Sequence, residues 1–438
     1  MNDAADVRFH AAPGGRLAGR LRVPGDKSIS HRAIMLGSLA EGPTTVSGFL
    51  EGADSLATLA AFRAMGVAIE GPASGELRIQ GVGLHGLQAP AGSLYLGNSG
   101  TSMRLLAGLL AGQSFDASLT GDASLSKRPM RRVVEPLTRM GARIDATAAG
   151  TAPLLIHGGR RLTGIEYSMP VASAQVKSSL LLAGLYADEP TCVSEPQPTR
   201  DHTERMLAGM GYPVRRDGNR VCIEGGGVLH GISLEIPADI SSAAFFLVGA
   251  SIAPGSELVI EHVGMNPTRT GVIDILRRMG AAIEIGDRRE AGGEPVADLV
   301  VRSADLRGIE IPPGLVPLAI DEFPVIFIAA ACARGRTVLR GAQELRVKES
   351  DRIQVMADGL NALGVNAAAT PDGMVIEGGM IGSGRVNSHG DHRIAMAFSI
   401  AALRAQGALE ILDCANVATS FPGFVELART AGLSITTV

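Results

Sequence analysis

Four short runs in this 438-residue chain gather cations where folding alone has little use for them. The first, Lys27-Ser28-Ile29-Ser30-His31-Arg32, opens an apolar stretch of helical character. A helix N-terminus already carries about half a positive charge, so Lys and Arg there are mildly unfavourable unless an external anion compensates them. The second run is Lys127-Arg128-Pro129-Met130-Arg131-Arg132, whose bland reading is a solvated charged face. In the third, Arg346-Val347-Lys348-Glu349-Ser350-Asp351-Arg352, opposite charges interleave. On a helix Lys348 and Arg352 would share one face, with Glu349 at its border, so a salt-bridge ladder is the structural alternative. The fourth, Asp391-His392-Arg393, heads an Ala-rich, otherwise uncharged helix. Cations at helix starts are suited to a small polyanion, and phosphate is the obvious candidate.

Several familiar motifs can be set aside. In Gly25-Asp26-Lys27-Ser28 the Asp separates glycine from lysine, unlike a nucleotide phosphate loop. Gly81-Val82-Gly83-Leu84-His85-Gly86 has dinucleotide spacing but runs into Leu87-Gln88-Ala89-Pro90, which predicts a turn and no helix. Of nine His only His389 and His392 are close, and no zinc-ligand pattern surrounds them, so no metal is expected. Cys192, Cys222, Cys332 and Cys414 are far apart, which reads as buried reduced thiols. Net charge is −4 and the pI near 6.2, with no basic run, so a general nucleic-acid binder is not expected. The apolar stretches Ala243–Ala253 and Phe323–Ala333 fall short of the ~20 residues a spanning helix needs. Met1–Val7 has two Asp and no apolar core, unlike a signal peptide. These features together predict a soluble, cytoplasmic protein.

What positions these runs is a repeat. Helical runs end at Met65-Gly66, Met140-Gly141, Met210-Gly211, Met279-Gly280, Leu363-Gly364 and Ala431-Gly432, about every 70 residues. Each copy opens with small polar or acidic residues: Asp26-Lys27-Ser28, Asn98-Ser99-Gly100-Thr101, Ser173-Ala174-Gln175, Asp239-Ile240-Ser241-Ser242, Asp321-Glu322 and Gly390-Asp391-His392-Arg393. Asp, Asn, Ser and Thr accept the free amides of a first helical turn, and the Gly acts as a helix stop. Each unit reads as helix, strand, helix, strand. It is too long for a solenoid repeat of about 20–45 residues. With aromatics at 3% and no Trp, the cores must be built from Ala, Leu, Val and Ile.

In their order along the chain the motifs resemble one family, the 5-enolpyruvylshikimate-3-phosphate synthases. They are Pro24–Ser28, Gly97–Thr101, Lys127–Met130, Ser173-Ala174-Gln175-Val176-Lys177, Arg346–Arg352 and Gly390–Arg393. Ser173–Lys177, Arg200-Asp201-His202-Thr203-Glu204 and Asn266-Pro267-Thr268-Arg269 are similar to the branch called class II. The resemblance implies an inside-out α/β barrel fold, two domains of three βαβαββ units each, pseudo-threefold within each domain. Residues 24–236 would form the inserted domain and 1–23 plus 237–438 the other, with hinges near 22–25 and 235–239.

The reaction so implied joins shikimate 3-phosphate and phosphoenolpyruvate and releases phosphate, in the shikimate pathway of aromatic amino-acid biosynthesis. It needs no cofactor, nucleic acid or membrane, and the enzyme is expected to be a monomer. By resemblance, Lys27, Gly100, Arg128, Gln175, Arg352 and Arg393 bind phosphoenolpyruvate. Lys27, Ser28, Arg32, Ser173, Ala174, Gln175, Arg200, Asp321 and Lys348 bind shikimate 3-phosphate. Asp321 is the implied base at the 5-hydroxyl, and Glu349 or Lys27 moves the methylene proton. Thr419 stands where many members carry Lys before Phe421-Pro422. Gly100 and Leu105 point in opposite directions on tolerance to glyphosate, the inhibitor that targets the family. The rival acceptor is UDP-N-acetylglucosamine, whose transferase usually has a reactive Cys in the loop that is here Gly121–Lys127, without one. An RNA 3′-phosphate cyclase, or a binding module without catalysis, are the readings from other classes.

Overall fold

The computed structural model describes residues 7–438, so the reading of the chain's first six residues lies outside the described part. The chain divides into two compact units. One comprises residues up to Pro24 with Pro237–Glu290 and Pro295–Val438; the other comprises Gly25–Ile236 with Ala291–Glu294. Each has its own aliphatic core.

The helices of the second unit are α1 (Lys27–Leu39), α2 (Ala53–Ala64), α3 (Gly100–Ala111), α4 (Arg131–Arg139), α5 (Ala174–Gly184) and α6 (His202–Gly209). Those of the first are α7 (Ile240–Ile252), α8 (Gly271–Arg278), α9 (Phe323–Cys332), α10 (Arg352–Ala362), α11 (His392–Ala401) and α12 (Phe424–Ala431). They alternate in kind. Every residue of α7 is buried, and α1, α3, α5, α9 and α11 are buried over most of their length. Such all-round apolar helices belong inside a unit, whereas α4 and α8 keep a polar outer face.

The expected caps form. Asp26, Ser99, Ser173, Asp239 and Asp391 each accept an amide of the helix that follows. Glu322 precedes α9 without a side-chain cap. All six glycine stops have φ between +81° and +117°, the left-handed region where a side chain is disfavoured. The Gly81–Gly86 segment leaves its strand into a turn, with no helix after it.

Second helices lead into antiparallel hairpins, and each hairpin extends to a parallel neighbour. In the second unit the sheets run 233–235, 41–47, 76–82, 68–73; then 94–95, 117–120, 154–157, 143–145; then 166–168, 191–194, 220–223, 215–217. Strand 233–235, from the end of the third repeat, pairs in parallel with 41–47 of the first and closes the unit. In the first unit, 18–21 pairs in parallel with 257–264, and 9–11 lies between 409–412 and 435–437. Its middle sheet has three strands, the fourth being reduced to a bridge between Glu310 and Val338. The bottom-up reading of two helices and two strands per repeat therefore missed two strands in most repeats, the return strand of the hairpin and the parallel neighbour, because strand pairing leaves no local signal of the kind a helix cap or glycine stop gives.

One expectation fails. Cys192 and Cys222 are not free thiols: strands 191–194 and 220–223 place them directly opposite one another, and they form a disulfide. The pairing is set by strand register, which residue spacing does not reveal. Cys332 and Cys414 form no disulfide. Among the described residues no helix is long and apolar enough to cross a membrane.

Candidate active site

In the second unit the starts of α1, α3 and α5 carry the candidate residues. Gly25 is obligatory there: an added Cβ would lie 1.8 Å from the Gly48 carbonyl oxygen. Asp26 then caps α1 through the Ile29 amide at 2.9 Å, which makes Lys27 the first helical residue. Lys27 Nζ is 2.8 Å from Asp54 Oδ2 at the start of α2. One turn on, Arg32 is buried and donates to the Thr203 hydroxyl (2.7 Å), the Ser178 hydroxyl (2.8 Å) and the Ser28 carbonyl (2.9 Å). All three acceptors are neutral. Burial pushes the guanidinium down to about 10, only partly offset by the nearby charges of Glu204 and Asp26. A cation held this way is short of negative charge, and an anionic ligand would supply it.

His31 lies between Lys27 and Arg32. Burial holds its pKa well below the usual imidazole value, and Lys27 and Arg32 push in the same direction. The neutral ring bonds Thr58 at 2.8 Å, Thr58 bonds Ser102 at 2.6 Å, and Ser102 donates to Ser99 at 2.7 Å. Ser99 is the cap of α3, so this chain of hydroxyls ties α1 and α2 to the start of α3. Gly100 follows it, where an added Cβ would meet Arg104 Nη1 at 2.9 Å and Arg128 Nη1 at 3.2 Å. Arg128 donates to Asn98 and, at 3.4 Å, to Ser124. Of the run Lys127–Arg132 only Arg128 is buried among its cations; Lys127, Arg131 and Arg132 are exposed. Ser173 caps α5. Gln175 receives Arg104 Nη1 at 2.7 Å and donates to Thr101 at 3.0 Å, linking α5 to α3. Arg200 sits half-buried just before α6, and Ala174 is the first residue of α5.

The first unit holds a different kind of group. Arg352 is buried and donates to Asp391 Oδ2 at 2.8 Å, Glu349 Oε2 at 2.6 Å and Asp321 Oδ1 at 3.4 Å. Burial would lower its pKa, but Asp391, Glu349 and Asp321 outweigh that and push it above its ordinary value. Lys348 Nζ lies 3.3 Å from the same Asp321 oxygen. Arg393 donates to the Asp321 carbonyl at 3.0 Å, and its guanidinium is 3.8 Å from Glu322. Asp391, which grips Arg352, is also the α11 cap that accepts the Arg393 amide at 3.0 Å.

The helical reading of this segment needs correction. Lys348, Glu349 and Ser350 lie in a loop after a short 3-10 turn, and α10 begins only at Arg352, capped by Asp351. Lys348 and Arg352 meet at Asp321 without sharing a helix face. Arg346 is turned elsewhere, to Asp351 and the carbonyls of Pro371 and Thr370. Thr419, at the position of the family lysine, donates to the Asn416 carbonyl.

Sequence reasoning passed over several participants. Asp54, Asn98, Ser178, Thr203 and Glu322 contact the candidate cations and Arg104 bonds Gln175; Asn98, Thr203 and Glu322 stand in quoted motifs without a site role, and Asp54, Arg104 and Ser178 stand in none. Arg269, noticed only as a class II feature, is buried and donates to Ser241 at 2.7 Å, with Asp239 at 3.3 Å and Glu322 at 3.9 Å.

The model of the EPSP synthase (3-phosphoshikimate 1-carboxyvinyltransferase) family matches residues 11–427. The chain belongs to the EPSP synthase family. It is 73% identical over 430 residues to the 3-phosphoshikimate 1-carboxyvinyltransferase of Methylococcus capsulatus, covering 98% of each chain. A solved EPSP synthase from Acinetobacter baumannii superposes with a TM-score of 0.89 at 58% identity, over 99% of this chain and 100% of that one. The enolpyruvyl transferase NikO from Streptomyces tendae has a TM-score of 0.80 at 18% identity, with 99% of both chains covered, and shows the shared fold alone. The motif resemblance and the inside-out α/β architecture agree with these EPSP synthase matches.

Proposed function

We propose that this chain transfers the enolpyruvyl group of phosphoenolpyruvate to the 5-hydroxyl of shikimate 3-phosphate. The observation that carries the reading is Asp321, a carboxylate held by Lys348 and Arg352 beside Glu349 on the same guanidinium. Two carboxylates locked by shared cations are what an addition with proton transfer at two atoms requires. Supporting it are the family membership and the names of the relatives.

In the proposed sequence the Asp321 carboxylate takes the proton of the 5-hydroxyl as its oxygen bonds the enolpyruvyl C2. The C2–C3 double-bond pair moves to the methylene carbon, which takes a proton from Glu349 or Lys27. In the resulting tetrahedral adduct the C2–O bond to phosphate breaks, and phosphate leaves with that electron pair and carries off the proton that Asp321 had taken. Loss of a methyl proton then restores the double bond, returning the acid to its starting state. The family resemblance assigns Lys27, Arg128, Arg352 and Arg393, with the Gly100 amide and Gln175, to the phosphate and carboxylate of phosphoenolpyruvate. Ser28, Arg32, Ser173, Ala174, Arg200 and Lys348, together with Lys27, Gln175 and Asp321, hold the acceptor. Arginine suits these tasks because its planar fork pairs with two oxygens at once.

Phosphate release from phosphoenolpyruvate with shikimate 3-phosphate, run beside UDP-N-acetylglucosamine, tests the reading. Release only with shikimate 3-phosphate is expected; release only with the sugar nucleotide overturns the acceptor. The same reading has the enzyme working in the cytoplasm as a monomer of about 45 kDa, on two small substrates, without cofactor, nucleic acid or membrane. Light scattering at assay concentration checks its mass.

A further inference from the structure

Lys177 is the one charged residue of the Ser173–Lys177 motif, and the proposed chemistry gives it no task. Its side chain is wholly buried, with Nζ 2.9 Å from Glu195 Oε1 and 2.7 Å from Glu204 Oε1. The contact to Glu204 is an ion pair in which neither carboxylate oxygen makes a directed hydrogen bond. Each carboxylate leads to a candidate binding residue. Glu195 Oε2 accepts the Thr199 amide at 3.1 Å and the Thr199 hydroxyl, and Lys177 reaches the Thr199 carbonyl at 3.5 Å. The segment 195–199 is thereby closed on itself immediately before Arg200. Glu204 follows Thr203, whose hydroxyl accepts Arg32 Nε and donates to Ser178, the next residue after Lys177. On its own helix Lys177 lies one turn from the Ser173 cap and receives no charge partner from that helix.

A wholly buried ammonium between two buried carboxylates, with Arg216 Nη2 4.0 Å from the Glu195 oxygen, is a costly way to stabilise a fold, since apolar side chains of like volume often serve as well or better. Its geometric consequence is specific: it ties together α5, which Ser173 caps, the 195–199 segment that leads into Arg200, and α6, whose Thr203 holds Arg32. We infer that Lys177 is a positioning residue that sets the spacing of these groups and so the affinity for a phosphorylated acceptor. The inference rests on the functional reading above. Lys177 does not touch the reacting atoms, so its effect belongs to acceptor binding and not to turnover.

Lys177→Met, similar in length and uncharged, tests this by steady-state phosphate release. The expected result is a rise of about tenfold or more in the KM for shikimate 3-phosphate, with kcat and the KM for phosphoenolpyruvate within about threefold of wild type. In an Arg200→Ala background the same substitution should add less than about threefold, because both act on one contact. A folded Lys177→Met enzyme with an unchanged acceptor KM overturns the inference, as does a full, additive effect on top of Arg200→Ala. A fall in kcat equal to the rise in acceptor KM also overturns it. Should Lys177→Met not fold, Thr199→Val breaks only the hydroxyl link to Glu195; it should raise the acceptor KM by about threefold, and a flat result overturns the inference equally. Wild-type enzyme that releases no phosphate with shikimate 3-phosphate would instead overturn the functional reading, and the inference with it.

Discussion

Arg32 and Arg352 are both buried arginines, one in each unit, and their surroundings are opposite. Arg32 is held by two hydroxyls and a carbonyl, and burial drives its pKa down to about 10. Arg352 is gripped by Asp391, Glu349 and Asp321, and its pKa is driven up. The first cation is bonded by neutral oxygens, and on the proposed function an anionic acceptor would complete its compensation. The second is over-compensated, with three carboxylates around one guanidinium. The two units repeat one architecture yet divide in how they compensate a buried guanidinium, with neutral oxygens in the second unit and carboxylates in the first.

The largest expected effect tests that division. Glu349→Gln should cut kcat by about 10²- to 10⁴-fold with a much smaller change in either KM, as measured by phosphate release. An equal loss in kcat and binding would place Glu349 with the binding groups. Next, Arg352→Met strips the counter-charge from three carboxylates, two of them the proposed base Asp321 and the candidate acid Glu349. Urea denaturation should show a loss of about 3–5 kcal/mol, the usual consequence of breaking a buried pair from one side. Arg32→Met should cost less than half as much, because a desolvated cation with neutral partners is removed. Inorganic phosphate should raise the wild-type denaturation midpoint and leave that of Arg32→Met unmoved. Equal losses from the two substitutions would erase the contrast.

A smaller effect concerns His31. Its folded pKa is depressed, so as pH falls below about 6.5 the unfolded chain takes up a proton that the folded chain refuses. Stability therefore falls across that window. His31→Gln removes the contribution, so its midpoint should change less between pH 7.5 and pH 5.5 than that of wild type; an unchanged slope would mean the ring is protonated in place. The smallest is Thr203→Val, which deletes one neutral bond to Arg32. It should raise the acceptor KM by about 2- to 10-fold and leave the denaturation midpoint nearly unmoved. A stability loss as large as that of Arg352→Met would show that the hydroxyl does more than orient the guanidinium.

Much of the fold was legible because its signals are local. A cap such as Asp26, Ser99 or Asp391 acts on amides two or three residues away, and a glycine stop acts on its own φ. The cationic runs were legible for the same reason, since charge at a helix start is out of place within a few residues of sequence. The reading went wrong where a local rule was extended too far. Treating Arg346–Arg352 as one helix put Lys348 and Arg352 on a common face, but the chain there is a 3-10 turn and a loop, and Arg346 bonds the backbone near Thr370 instead. The cysteines were misread because strand pairing brings Cys222 opposite Cys192 across 30 residues.

Residue types and their spacing by themselves determined the six repeats, the helix starts and the cations placed on them, since capping and helix dipoles act over one turn. Only the tertiary structure decided what compensates each charge. Hydroxyls from α5 and α6 surround Arg32, three carboxylates from separate segments surround Arg352, and two from distant segments enclose Lys177. Electrostatic compensation depends on distance in space and on burial, and neither is set by neighbours along the chain.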